Sequence, residues 1–571
     1  MEQNLVSILD LSPAILERVV DSINFGANKE TMAILVNLVT KYSGHDQSER
    51  LLLALLRKFY ELSANVEKRS SLASVGAIEA ALGALIMHIN APDIVNAWLT
   101  FTLYLSLSDD PQVASRQFTA GVAEQLATIL ELYINNPVVL RNAMLATGNL
   151  ASASPEARAY LTTAGRAFST IAAIMDCHPS HMEVTRWACY ATKWLAHSNR
   201  DNNHLAAQAG IPVRIVRAIR TFGDAAPQLL NHSLMTIGNL SYACPKCQAE
   251  IFVSGALEMV LSLLRAILPP GNGPVGPDSD VDEDTVVCLC YAINNTSSGY
   301  YNVQEYLLRE GALPLLVRVL KLFPTSPRIV ENAFFAISTI ACNFYISQTE
   351  IGRLNAVSAI LHAGYVNRNS LTVQTALFLV LGNVSGDSDS IKLEIARSGG
   401  LDVMVAALEA FPTHKELCAR ASRAIEFVLS IDETYAGYAS ETVVAAVRTA
   451  AEHHPNLPEL RNCLLSITRS QDPVIVAAVA EGKCSATVNP QCPGMCPYRR
   501  GKFYCPVCAK PQYTYFCVDC SIETKTTLRL CPVCAEHHLK EHPKHELLKT
   551  FMSRRCYCTK CINKETSENK K

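Results

Sequence analysis

The feature that most constrains this chain is a repeat. "LATGNLASASPEARAYLTTAGRA", Leu145 to Ala167, returns about ninety residues later as "MTIGNLSYACPKCQAEIFVSGAL", Met235 to Leu257. Each copy reads as an apolar helix, Gly-Asn-Leu-Ala/Ser, a short polar break, a second helical stretch and then Gly. The Gly before each apolar helix can be followed through Gly76, Gly121, Gly165, Gly210, Gly255, Gly311 and Gly400, with Asn355 in the same slot. The steps are 45, 44, 45, 45, 56, 44 and 45 residues. The long step contains "PPGNGPVGPDSDVDED", Pro269 to Asp284. That stretch is rich in Pro and Gly, then acidic, without apolar periodicity, which predicts an exposed loop at 269–284. Removing its 11 surplus residues restores the period. Each unit reads as a short helix, a Gly break, a second helix, a turn and a longer third helix. The Gly is expected to end the first helix in a left-handed conformation, where it is least strained.

A helical period of ~40–47 residues with this Gly break resembles the armadillo family. The resemblance covers roughly residues 13–471, about nine or ten units. It implies an all-α fold, an armadillo superhelical solenoid over 1–483. Twenty-eight or twenty-nine residues after the Gly slot stand Asn149, Trp194, Asn239, Thr339 and Asn383, and Asn295 once the insertion is removed. In the family this position lies on the third helix, lining a concave groove. An Asn there donates and accepts at once and can hold the backbone of an extended peptide. The resemblance therefore implies a partner groove at Asn149, Trp194, Asn239, Asn295 and Asn383, with Arg141 and Arg186 eight residues before the first two. The alternative is that each Asn bonds locally near a helix end. On the groove reading, Asn239→Ala with Asn383→Ala weakens partner binding and leaves stability nearly unchanged. Importin alpha, a member of the family, carries a Trp four residues before each such Asn. Here those positions hold Leu145, Tyr190, Met235, Tyr291, Phe335 and Leu379, which argues against lysine-rich import cargo.

The last 88 residues differ in kind. They hold 12 of the 21 Cys, with 15 Lys and Arg against 7 Asp and Glu. Their formal charge of +8 leaves −10 on residues 1–483. Three C-x2-C pairs stand at Cys505/Cys508, Cys517/Cys520 and Cys531/Cys534, followed by His542 and His545. Cys492 and Cys496 precede them, and Cys556, Cys558 and Cys561 follow. Ligands two or three residues apart can hold one tetrahedral zinc from a tight turn, and a segment with so little aliphatic core needs the metal in order to fold. A zinc-binding domain is thus expected over 484–562, before a disordered tail at 563–571.

The order C-x2-C-x8-C-x2-C, C-x2-C, H-x2-H resembles a B-box zinc domain over about 505–548. The ending "CAEHHLKEHPKHELLKTFMSRRCYC" resembles the close of a UBR box. The B-box resemblance implies alternating ligand pairs. Site one is then Cys505, Cys508, Cys531 and Cys534, and site two Cys517, Cys520, His542 and His545. A third ion would join Cys492, Cys496, Cys558 and Cys561, because C-x2-C bites better than C-x-C. The UBR-like alternative recruits Cys556 and one of His537 and His538. Two or three zinc ions are expected.

Other classes find little support. No P-loop, Gly-x-Gly-x-x-Gly or G-x-S-x-G motif occurs, so no enzyme and no small-molecule substrate are expected. Cys244 and Cys247 form a C-x-x-C inside a repeat turn and read as incidental. Each four-Cys zinc site adds about −2, which offsets much of the +8 and argues against nucleic acid. "MEQNLVSILDLSPAILERVV" lacks a signal-peptide pattern, and no apolar run approaches the ~18 residues of a membrane span. The sequence therefore predicts a cytoplasmic interaction adaptor, with cytoskeleton or nucleus as further locations. A protein or extended peptide would occupy the groove, and a second protein the zinc module. The alternatives are a ubiquitin-pathway recognition component and a cytoskeletal or ciliary scaffold. Elemental analysis is expected to give about three zinc per chain in sulfur-rich tetrahedral sites. Cys531→Ser is expected to unfold the tail and leave the helical circular dichroism intact; a stoichiometry of one would exclude the paired arrangement.

Overall fold

The computed structural model describes residues 11–44, 49–223, 225–271, 274, 281–342, 345–386, 388–429 and 441–470, and three strands further on. The chain divides into two compact units. The first comprises residues 1–269 and 280–305, the second residues 270–279 and everything from Tyr306.

The long third helices carry the architecture. In the first unit they are α1 (Glu49–Ala64), α2 (Pro92–Leu105), α3 (Pro137–Ala153), α4 (Met182–Leu195), α5 (Pro227–Ser241) and α6 (Glu283–Ser297). In the second they are α7 (Pro327–Ala341), α8 (Leu371–Ser385) and α9 (Lys415–Leu429), and Pro458–Ser470 follows as α10. Five of these ten begin on Pro, whose fixed φ and missing N–H suit a first helical turn. Inside each unit, successive third helices lie against one another, α1 on α2 through α5 on α6, and α7 on α8 through α9 on α10. Their inner faces are close to fully buried: Val139, Leu140, Ala143, Ala146 and Leu150 on α3, and Val330, Ala333, Phe334, Ile337 and Ile340 on α7. Phe59 on α1 stacks on Phe101 of α2, with centroids 5.2 Å apart.

Between third helices run a short first helix and an apolar second helix, joined by one left-handed residue. Pro111–Thr119 and Val122–Leu132 meet at Gly121, φ +95°. The left-handed residues are Gly76, Gly121, Arg166, Gly210, Gly255, Gly311, Asn355 and Gly399. Two expected positions shift by one. Arg166, not Gly165, carries the positive φ, and Gly399 does so instead of Gly400. The displaced glycines serve close approach: a Cβ on Gly165 would lie 3.0 Å from the Leu161 backbone, and one on Gly400 2.6 Å from the Ile395 carbonyl.

The corrected slot exposes a second regularity. Twelve residues after it stand His88, Tyr133, His178 and Asn367, at the C-caps of four second helices. Each reaches one repeat back to a turn carbonyl. His88 Nε2 lies 2.8 Å from the Ser43 oxygen and His178 Nε2 2.8 Å from that of Ile134. Tyr133 Oη donates to Ile89 (2.8 Å) and Asn367 Nδ2 to Pro324 (2.7 Å).

The insertion is shorter than expected. The helix before it ends at Ile267, but Asp282 already caps α6, accepting from the Asp284 N–H, and Glu283 and Asp284 form the first turn. Residues 272–273 and 275–280 lie outside the described residues. In the tail the described residues are β strands: β1 (Thr514–Cys517), β2 (Leu528–Leu530) and β3 (Leu547–Thr550), in the order β2-β1-β3, both pairings antiparallel.

The backbone conformations give opposite expectations for two substitutions. A left-handed non-Gly residue costs ~1–2 kcal/mol. Gly121→Ala is therefore expected to lower the unfolding free energy by about that amount, and Arg166→Gly to raise it by up to ~1 kcal/mol; urea unfolding measures both.

Candidate partner-binding face of the third helices

The six register residues each stand thirteen positions after a helix N-cap: Asn136 for Asn149, His181 for Trp194, Ala226 for Asn239, Asp282 for Asn295, Ser326 for Thr339 and Ser370 for Asn383. The equivalence read from the sequence therefore holds in three dimensions, within each unit. Three of the asparagines, Asn149, Asn239 and Asn383, bond neither locally nor only outward. Asn149 Nδ2 donates to the Leu103 carbonyl on α2 (3.2 Å), and Asn239 Nδ2 to that of Lys193 on α4 (2.8 Å). Asn383 Nδ2 donates to Ser338 on α7, at 3.3 Å to the carbonyl and 2.8 Å to Oγ. Each spans one repeat and ties a third helix to the one before it.

The Gly that precedes two of these asparagines is explained by the other end of the amide. Tyr190 on α4 donates to Asn149 Oδ1 at 2.7 Å, and Tyr291 on α6 to Asn239 Oδ1 at 2.6 Å. A Cβ on Gly148 would lie 2.6 Å from the Tyr190 ring, and one on Gly238 2.4 Å from that of Tyr291. Gly opens a notch, a tyrosine of the next unit fills it, and its hydroxyl closes on the Asn. Sequence reading found the Gly-Asn pair and the tyrosines separately. The signal joining them was that both tyrosines stand four residues before the next register position. Asn149 and Asn239 are consequently only 3% and 4% exposed. Each retains one amide hydrogen and one carbonyl lone pair. Replacing Asn239 is expected to cost stability of ~1 kcal/mol per lost bond as well as binding, in contrast to the expectation from sequence.

Asn295 is bonded differently: its Oδ1 accepts from the adjacent Asn294 (3.3 Å), and its backbone carbonyl from Gln248 (3.1 Å). The Thr339 hydroxyl turns back on its own helix, to Phe335 and Ala336. Arg141 and Arg186 converge on Glu183, at 3.8 and 2.7 Å, and Arg186 also donates to Gln228 (2.9 Å).

Trp194 belongs to a half-buried cluster on α4. Its ring stacks on His197, centroids 5.6 Å apart, and packs edge-on with Tyr190. Trp187 lies edge-on to Tyr190 and beside His232 of α5. Two cations sit on these rings: Arg186 4.5 Å over Trp187, and Lys193 4.5 Å over Trp194 and 5.2 Å over Tyr190. Cations are attracted to the negative ring faces. Burial holds Lys193 below its ordinary pKa. Burial, then the charges of Lys193 and Arg186, push His232 down to about 4. The Trp187 indole N–H is buried without a hydrogen-bond partner among the described residues.

Cys244 and Cys247 are both buried, and the Cys244 sulfur caps the Pro245–Val253 helix by accepting from the Cys247 N–H at 3.4 Å. Of the expected zinc ligands, Cys517 ends β1, and only its backbone is described; Cys492, Cys496, Cys505, Cys508, Cys520, Cys531, Cys534, His542, His545, Cys558 and Cys561 lie outside the described residues. Among the described residues no single helix is long and apolar enough to cross a membrane.

No family model matches the chain, and no curated protein matches it. Solved structures do. An engineered protein matches with a TM-score of 0.60 at 17% identity, covering 76% of this chain and 99% of its own. A structure describing a conserved phosphorylation switch that controls the interaction between cadherin and beta-catenin matches at 0.50 and 15%, covering 80% and 84%. A designed armadillo repeat protein in complex with the peptide (KR)4 matches at 0.37 and 21%, covering 46% and 98%. At these identities the likeness is one of fold alone.

The depressed His232 pKa carries a sign. An unfolded His takes its proton near pH 6.5, and the folded one near 4. The unfolded state therefore binds more protons between those values, and stability present above pH 6.5 is lost as pH falls toward 4, by about 3 kcal/mol at most. His232→Gln is expected to flatten this part of the pH–stability profile in urea titrations.

Proposed function

We propose that the chain is a protein-interaction adaptor that binds an extended segment of a partner along its third helices. The observation that carries this reading is the α4 cluster. Trp187, Tyr190, Lys193 and Trp194 present half-exposed aromatic and cationic surface on one helix face, between the Asn149 and Asn239 amides. Aromatic and Arg-rich patches are the usual anchors of protein interfaces. A partner crossing such a face finds flat rings for its side chains. The likeness in fold to the structure that describes the interaction between cadherin and beta-catenin supports the same use.

The tail is proposed to be a zinc module that binds a second partner. Its donor set, thiolates and imidazoles in closely spaced pairs, suits tetrahedral zinc. Among the described residues, Cys517 pairs with Leu547 at the start of β3, and Leu530 at the end of β2 pairs with Tyr515. Zinc would supply folding energy there, as it does in small domains of this composition.

The groove is tested by selecting short unstructured peptides on the full-length protein and measuring their affinity for Trp187→Ala with Trp194→Ala. Loss of ~10-fold or more, about the weight of one anchor residue, is expected with circular dichroism unchanged. Failure to select any peptide, or equal binding by the double variant, would overturn the reading.

A further inference from the structure

The Gly-Asn pair occurs a third time on a third helix, as Gly382-Asn383 of α8, and there the notch is open. Among the described residues nothing stands within 4 Å of the place where a Cβ on Gly382 would lie. Asn383 donates to Ser338 as its counterparts donate one repeat back, but no described group donates to its Oδ1. The cause lies on α9. His414 starts that helix as His181 starts α4: its Nδ1 accepts from Leu417 and its carbonyl from Cys418, as His181 accepts from Val184 and Thr185. Nine residues on, where α4 has Tyr190, α9 has Arg423. Its guanidinium is turned to Glu459 on α10. Among the described residues, the phenol that fills both other notches has no counterpart here.

We propose that the Gly382–Asn383 notch receives a tyrosine side chain of the extended partner, its ring over Gly382 and its hydroxyl donating to Asn383 Oδ1. The molecule itself shows the fit twice, at Tyr190 and Tyr291, with hydroxyl-to-Oδ1 distances of 2.7 and 2.6 Å. A phenylalanine would fill the same space and leave the acceptor unmet. The notch thus discriminates by one hydroxyl, a kind of selection that a site with a waiting polar group performs well. Arg423, whose side chain is 66% exposed, holds on α9 the place that Tyr190 holds on α4. This inference rests on the groove reading for the delivery of the tyrosine, though the notch can be probed without a peptide.

The test uses full-length protein and 4-ethylphenol, the tyrosine side chain alone, with ethylbenzene as the hydroxyl-free control, followed by saturation-transfer NMR. Saturable binding of 4-ethylphenol, ~10-fold weaker for ethylbenzene and for Gly382→Ala, and unchanged in Gly83→Ala, another glycine with open space around it, is the expected result. Gly148→Ala should destabilise the fold by crowding Tyr190, whereas Gly382→Ala should not, which shows that loss of binding in the latter is not loss of structure. Equal binding by the two probes, or binding indifferent to Gly382→Ala, overturns the proposal. So does stronger 4-ethylphenol binding by Tyr435→Phe with Tyr438→Phe, which would mean that the chain fills its own notch. Peptides selected on the groove should be enriched in tyrosine at one position, and lose that preference on Gly382→Ala. Peptides without it would overturn the notch and leave the groove standing. Phenol binding at the notch with no peptide selected would overturn the groove and leave the notch.

Discussion

Each unit of this chain has too little apolar surface to close on itself, and the contact of one third helix with the next is what makes the array possible. Leu140, Ala143 and Leu150 are buried to 0% exposure on α3, which lies against α2 and α4. Repeat arrays hold together through such nearest-neighbour interfaces. The left-handed residue between first and second helices serves this contact. It turns the chain sharply enough that the apolar second helix and the third helix face the same neighbour. Arg166 and Asn355 adopt that conformation although they carry a Cβ, so the turn is imposed by packing on both sides and not by glycine's freedom alone.

Apolar packing alone would let adjacent helices slide. Polar groups spanning one repeat fix the register. His88, Tyr133, His178 and Asn367 hold the turns, and Asn149, Asn239 and Asn383 hold the third helices. First helices contribute as well. Asn203 donates to the Asn239 and Tyr242 carbonyls, Gln248 to those of Asn295 and Ser298, and Gln348 to that of Asn383. These carbonyls belong to the ends of third helices, where the last four oxygens have no partner in their own helix. In all three cases the donor amide comes from the first helix of the same repeat, so these bonds fix the third helix against its own unit. Such bonds are directional and fail after a slip of one residue, which a Leu–Leu contact does not.

The period, the three-helix unit and the register of Asn149, Asn239 and Asn383 could be read from the chain because each is a local pattern repeated at a fixed spacing. What the amides do could not be read, since Asn149 meets Leu103 and Tyr190, residues 46 and 41 positions away on other helices. Gly165 looked like its neighbours because composition does not distinguish a glycine needed for positive φ from one needed for close approach. Lys193 gave no sign in sequence of being held over two rings. The acidic stretch at Asp282–Asp284 read as loop, yet Asp282 accepts from Asn231 and Thr285 and starts α6; acidic residues suit a helix N-terminus as well as a solvated loop.

The α4 face joins two kinds of unmet demand. Lys193 and Arg186 are drawn onto aromatic rings, and Glu183 answers Arg186 and Arg141 but not Lys193. A lysine partly removed from water, against two rings, keeps its charge less readily than an exposed one, which is the direction its pKa takes. An incoming carboxylate would restore the charged form, and an incoming backbone carbonyl would accept from the same ammonium. Either contact is made at a site that already excludes much of the water and whose rings are fixed by Asn149, His197 and His232. Little ordering is left for the partner's arrival, so most of the contact energy is available for binding. The same polar bonds that set the register of the array thereby fix the surface on which the proposed partner would lie.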